Sequence, residues 1–139
     1  MPEEATIPDP VELTRRAFVA VNQGDLDAVM SFFAPDAVLD GRVEVLEGRA
    51  AIRGFLDIWF GSFAELRMDA EELDLVVDDE VVLAVVSQEG LLVDVDREVH
   101  QREGWVIHWS AEGLILHLTA LPDIDEARAV AEQLAESRR

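Results

Sequence analysis

The stretch whose reading decides the fold is "REGWVIHWSAEGLILHLTAL", Arg102 to Leu121. It puts two tryptophans and two of the chain's three histidines on one apparent hairpin, turning at "SAEG". With Ser110 to Glu112 as the turn, Trp109 is expected near Leu114 and Trp105 near Leu118. Side chains alternate across a pleated strand. One face then holds Trp105, Ile107, Trp109, Leu114, Leu116, Leu118 and Ala120, and the other Val106, His108, Ile115 and His117. The first face is apolar throughout and is expected to meet helices. A slip of one residue would exchange the faces, so everything built on this hairpin rests on its parity.

Upstream, "DPVELTRRAFVAVNQGD" predicts a helix with Asp9 as cap, Pro10 in the first turn and Gly24 at the exit. Leu13, Ala17, Phe18 and Val21 share a face. Asp25 caps a second helix bearing Leu26, Val29, Met30 and Phe33, which Pro35 is expected to stop. A short extended piece follows from Ala37 to Asp40, and Val43 to Leu46 is expected to complete a small hairpin. "GRAAIRGFLDIWFGSF" reads as the third helix, with Ile52, Phe55, Leu56, Trp59 and Phe63 on one broad side.

After that helix the apolar period becomes extended. Leu66 to Val77 alternates, but its parity flips between Met68 and Leu73, which predicts a bulge. Asp78-Asp79 reads as a turn, and "VVLAVV", Val81 to Val86, as a strand covered on both faces. Leu91 to Arg97, with Asp94 and Asp96, is expected to form an exposed connection. Beyond the hairpin, Asp123 and Glu126 offer a capping pattern for a last helix carrying Ala127, Val130, Ala131 and Leu134. The order predicts an α+β fold: a cone-shaped, curved antiparallel sheet packed on three N-terminal helices, with a closing C-terminal helix. The helices are expected to gather on one sheet face.

Composition narrows the function classes. A chain of 139 residues is most simply one domain, with a short flexible N-terminus. Thirty acids against eleven bases, all arginine, leave a formal charge of −19, which opposes nucleic-acid and anionic-membrane binding. Without cysteine there is no disulfide, thiolate nucleophile or zinc–thiolate site. "MPEEATIPDP" does not read as a signal peptide, and no apolar run nears the ~18 residues of a membrane span. A cytoplasmic protein is expected.

Four stretches together carry a family resemblance: "AFVAVNQGDLDAVMSFFAPDAVLD", "EGRAAIRGFLDIWF", "DDEVVLAVV" and "WVIHWSAEGLILHLTALPDIDEARAVA". In this order they resemble the nuclear transport factor 2-like superfamily, and within it the SnoaL-like group, over about residues 10–135. The resemblance implies a cone-shaped fold with an apolar pocket and a homodimer built on the outer sheet face, with His108 and His117 on the dimer side. It carries catalysis over poorly. Ketosteroid isomerase-like chemistry needs a carboxylate base on the first strand and an oxyanion site of tyrosine plus a protonated acid. Asp40 lies at or one residue from the base position, but the chain has no tyrosine, and the second acid's position falls at Trp105. The epoxide hydrolase pattern needs an aspartate–arginine–aspartate set with a tyrosine and an asparagine, and the single asparagine, Asn22, ends a helix.

The candidate site follows. Asp40 is the catalytic candidate, since a carboxylate at the mouth of an apolar pocket is a usable base; the bland reading is a turn aspartate before Gly41. Phe18, Trp59, Phe63, Gln101, Glu103, Trp105, Ile107 and Leu118 are the expected pocket residues, against plain core packing for the aromatics and an exposed rim for Gln101 and Glu103. His108 and His117, as diagonal neighbours, lack tight metal-ligand spacing, and no metal or cofactor is expected. Arg42, Arg49 and Arg53 are expected in ion pairs. The function favoured is binding of a small hydrophobic molecule without evident catalytic machinery. The alternative is a cyclase or isomerase acting by acid–base chemistry on a hydrophobic carbonyl or polycyclic substrate, with Asp40 as base.

Overall fold

Three aspartates set three helix starts in the computed structural model, which describes residues 9–41, 44–77, 80–95 and 97–137. Asp9 accepts from the Glu12 amide at 2.9 Å and opens α1 (Pro10–Asn22). Asp25 accepts from the Ala28 amide at 3.1 Å and opens α2 (Leu26–Met30). Asp123 accepts from the Asp125 and Glu126 amides at 2.9 and 3.2 Å and opens α4 (Ile124–Ser137). Each cap satisfies a backbone donor that the first helical turn leaves free. The third helix, α3 (Arg49–Gly61), follows Gly48, whose φ of +89° only glycine takes without strain.

Six strands complete the chain: β1 (Phe33–Asp40), β2 (Val45–Glu47), β3 (Phe63–Val77), β4 (Val81–Leu92), β5 (Arg97–Trp109) and β6 (Ile115–Leu121). They form one curved sheet in the order β2-β1-β6-β5-β4-β3. The sheet is mixed, because β1 runs parallel to β6 while every other neighbour is antiparallel. Alternation reports which face a side chain takes, not which way the neighbouring strand runs. Two boundaries also move. Phe33 opens β1 instead of ending α2, so Pro35 lies within a strand, and Phe63 opens β3 instead of ending α3.

The expected bulge is present in β3, where the register with β4 shifts between Ala70 and Glu72. A bulge in the hairpin corrects its reading. Trp105 pairs with Ala120 and Ile107 with Leu118, but the register shifts between His108 and Trp109, so that Trp109 pairs with Ile115. Leu116 is thereby turned outward and 37% exposed, while Ile115 is buried in the main core. The turn is also tighter than a plain loop. Gly113, at φ +83°, donates to the Ser110 carbonyl, and the Ser110 amide bonds the Leu114 carbonyl.

Two cores result, one on each sheet face. Val82, Ala84 and Val86 join Ile107 and Trp109 in the main core beneath α1, α2 and α3. Val81, Leu83 and Val106 face the other way and pack on Ala127 and Ala131 of α4. The helices therefore do not gather on one face: α4 covers the outer one. Both sides of "VVLAVV" are buried because both are covered, although β4 stands next to the edge strand and not at the sheet centre.

Polar side chains tie the helices to the sheet. The Asn22 carboxamide accepts from the Met68 amide at 2.7 Å and donates to the Met68 carbonyl at 2.8 Å. Trp109 Nε1 donates to Thr14 Oγ1, which donates in turn to the Pro10 carbonyl. Arg53 pairs with Asp27, as expected of an ion-pair partner, whereas Arg49 spends its donors on the Phe33 carbonyl. The expectations for residues 1–8, for Arg42 and Val43, for the Asp78-Asp79 turn and for Asp96 lie outside the described residues.

Candidate functional site

Where the sheet curls away from α3, the main core fails to close and leaves a cavity of about 280 Å³. Its position follows from strand parity. On β5, Gln101, Glu103 and Trp105 face inward in succession, and Gln88 of β4 stands beside Gln101 as its cross-strand partner. Leu118 and Ala120 continue the wall on β6, and Leu39 and Leu46 on β1 and β2. Leu56, Trp59 and Phe60 of α3 form the opposite side, with Phe55, 41% exposed, among the lining residues. The walls are therefore apolar and aromatic except at the end made by Gln88, Gln101 and Glu103, and at exposed Glu44.

Aromatic packing holds the walls. Trp105 lies 5.3 Å from Phe18, tilted by 32°. Trp59 packs on Phe60 at 5.2 Å and meets Phe63 edge-on at 6.0 Å. Such contacts stabilise by about 0.5–1.5 kcal/mol beyond area burial and fix ring orientation. Trp105 is pinned a second time, because its Nε1 donates to Glu103 Oε1 at 2.8 Å. Glu103 is only 8% exposed, so that hydrogen bond offsets part of the cost of burying a carboxylate.

Of the residues expected to line a pocket, Trp59, Gln101, Glu103, Trp105 and Leu118 do so. Phe18, Phe63 and Ile107 do not; Phe18 and Phe63 stand behind Trp105 and Trp59, and Ile107 lies in the main core. Asp40 is half-buried and does not line the cavity, whose wall there is made by its neighbours Leu39 and Gly41. The histidines are direct partners across the hairpin, not diagonal ones, and neither lines the cavity. Among the described residues no group of three or more histidine, aspartate or glutamate side chains could hold a metal ion.

Sequence reasoning missed Gln88, Glu44, Phe33 and the leucines of β1 and β2. Gln88 was findable. It continues the inward parity of Val82, Ala84 and Val86, two residues further along the same strand. Phe33 was hidden by its assignment to a helix.

Comparison with known proteins places this geometry in context. A family model described as a SnoaL-like domain matches residues 14–118. Among curated proteins none matches the sequence. Solved structures of the same fold include an epoxide hydrolase/cyclase-like enzyme of pyran ring formation in the polyether salinomycin. It is 23% identical, with 84% of this chain and 92% of that one covered and a TM-score of 0.75. A Mycobacterium tuberculosis protein in complex with estradiol-17β-hemisuccinate is 15% identical over 85% and 97%, at 0.74. The Δ5-3-ketosteroid isomerase of a Mycobacterium species is 20% identical over 85% and 96%, at 0.73. At these identities the structural likeness carries the fold.

Proposed function

The chain belongs to the SnoaL-like domain family, and from that premise we propose that it is a single domain binding a small hydrophobic molecule in the cavity beneath α3. The observation that carries the reading is the cavity itself, with aromatic walls and one polar end. An apolar cavity of about 150 Å³ takes benzene. The space of about 280 Å³ here suits a body of roughly two fused rings. A fold neighbour bound to an estradiol ester supports an apolar ligand of the ring-system class.

The cyclase or isomerase reading takes second place. It requires the Asp40 carboxylate to reach the ligand, and Leu39 and Gly41 form the wall where that carboxylate would have to enter. An enolate-stabilising site also needs converging donors. The fold neighbours that carry out ring formation and isomerisation keep this reading in view. A homodimer through the outer sheet face beyond α4, and residence in the cytoplasm, belong to the same proposal; light scattering and cell fractionation test them.

Native mass spectrometry of the purified protein, together with tryptophan quenching by apolar dyes, tests binding. Trp59→Ala and Trp105→Ala are each expected to weaken dye binding about tenfold, since each removes about 1.4 kcal/mol or more of contact. Unchanged binding by both variants, folded by circular dichroism, would remove the cavity as the site.

A further inference from the structure

The polar end of the cavity discriminates among apolar ligands by the charge of their head group. Glu103 lines it at 8% exposure, and among the described residues its carboxylate meets one donor, the Trp105 indole, and no cation. Gln88 lines it at 3% exposure, with no hydrogen-bond partner for its carboxamide among the described residues. No polar atom of that carboxamide is sealed in protein unsatisfied, so the amide opens onto the cavity. Gln101 stands directly across from Gln88, and Glu44 adds a second carboxylate to the lining. No arginine or histidine is among the lining residues described.

A carboxylate held in an apolar hollow without a counter-charge is costly, and the Gln88 amide that opens onto the hollow has hydrogen-bonding capacity that protein groups leave unused. A ligand that supplies the charge and the hydrogen bonds meets both. The Glu103 carboxylate accepts hydrogen bonds and calls for positive charge, and the carboxamides of Gln88 and of exposed Gln101 at the same end accept as well as donate. An ammonium group provides three donors and the charge. A ligand carboxylate at that end would instead meet the like charge of Glu103.

Resting on the binding reading above, we infer that the ligand is an apolar amine, bound as its ammonium ion with the head group against Glu103, Gln88 and Gln101 and the ring body among the tryptophans. The overall charge of −19 raises the local concentration of such a cation but does not select its pose.

Three probes sharing one bicyclic body test this by calorimetry: 1-naphthylmethylamine, 1-naphthylmethanol and 1-naphthoate. The amine is expected to bind at least tenfold tighter than the alcohol, and the carboxylate weakest. Glu103→Gln should cut the ratio of amine to alcohol affinity to within about threefold, the ratio being read whatever the change in the alcohol's own affinity. Glu132→Gln, an exposed site on α4, should leave the preference untouched. An alcohol or carboxylate that binds as tightly as the amine overturns the inference and leaves the binding reading standing. So does a preference that survives Glu103→Gln, or one that Glu132→Gln removes equally. Failure of all three probes to bind sinks the binding reading and this inference with it.

Discussion

Replacing Gly104 with alanine tests the parity on which the cavity depends. Gly104 lies on β5 between Glu103 and Trp105, both of which line the cavity, so its own face is the one beneath α4. A Cβ there would sit 2.4 Å from the Ala127 Cβ and 3.5 Å from the Ile124 Cα, where ordinary contact begins near 3.4 Å. Gly104 is not at positive φ, so alanine is permitted by the backbone and would gain about 0.4–1 kcal/mol through the unfolded chain. Against this, α4 must retreat by about 1 Å, and overpacking of this kind costs about 1–3 kcal/mol. A net loss of about 1–2 kcal/mol is expected in urea unfolding. Ala127→Gly alone costs about 1 kcal/mol in helix propensity and a buried methyl group besides. Combined with Gly104→Ala it moves the methyl to the other side of the same contact, so the double variant should fall within about 1 kcal/mol of the parent. Additive losses, or a stabilising Gly104→Ala, would show that α4 does not lie on this face and that Glu103 and Trp105 do not point away from it.

The other predictions concern single contacts. Asn22→Ala removes both bonds to the fully buried Met68 backbone and should cost about 2–4 kcal/mol in urea unfolding; a loss under 0.5 kcal/mol would mean that water replaces the carboxamide freely. Thr14→Val keeps the shape of a fully buried side chain but strands the Trp109 indole N–H, for about 1–3 kcal/mol, with ligand affinity unchanged. Ile115→Ala should cost about 2–4 kcal/mol and Leu116→Ala about 0.5 kcal/mol or less; reversed sizes would contradict the bulge between them. Asp40→Asn should leave the affinity for a bicyclic probe within about twofold, and a tenfold loss would return its carboxylate to the ligand.

What was legible in the sequence is what local chemistry dictates. Asp9, Asp25 and Asp123 announced their helices because a short side chain with a free oxygen is suited to a first-turn amide. The β3 bulge was legible because polar residues marked the parity flip around Glu71. The hairpin bulge left no such mark. Leu114, Ile115 and Leu116 are all apolar, so a slip among them changes no pattern, and only the pairing of Trp109 with Ile115 reveals it. The placement of α4 was silent for a different reason. Ala127 and Ala131 declare an apolar stripe, but a stripe does not name the sheet face that receives it. Gly104 was the available hint, since a glycine inside a strand often marks a close approach by other backbone or side chains.

The cavity's apolar lining was partly legible for the same reason as the core, because both are written in one parity. Trp59, Trp105 and Leu118 belong to inward faces whether a hollow exists or not. The polar residues on those faces carry more information. β4 runs Val82, Ala84, Val86 and then Gln88 inward; β5 runs Trp109, Ile107, Trp105 and then Glu103 inward. Two neighbouring strands thus change from apolar to polar at the same end of the sheet, while both changed residues stay more than nine-tenths buried. A closed core gains nothing from such a change, because each buried polar group left without a partner costs about 1–3 kcal/mol. A hollow that receives a polar head group recovers that cost on binding. The shared parity of Gln88 and Glu103 is therefore a better pointer to the proposed binding site than any of the aromatics around them.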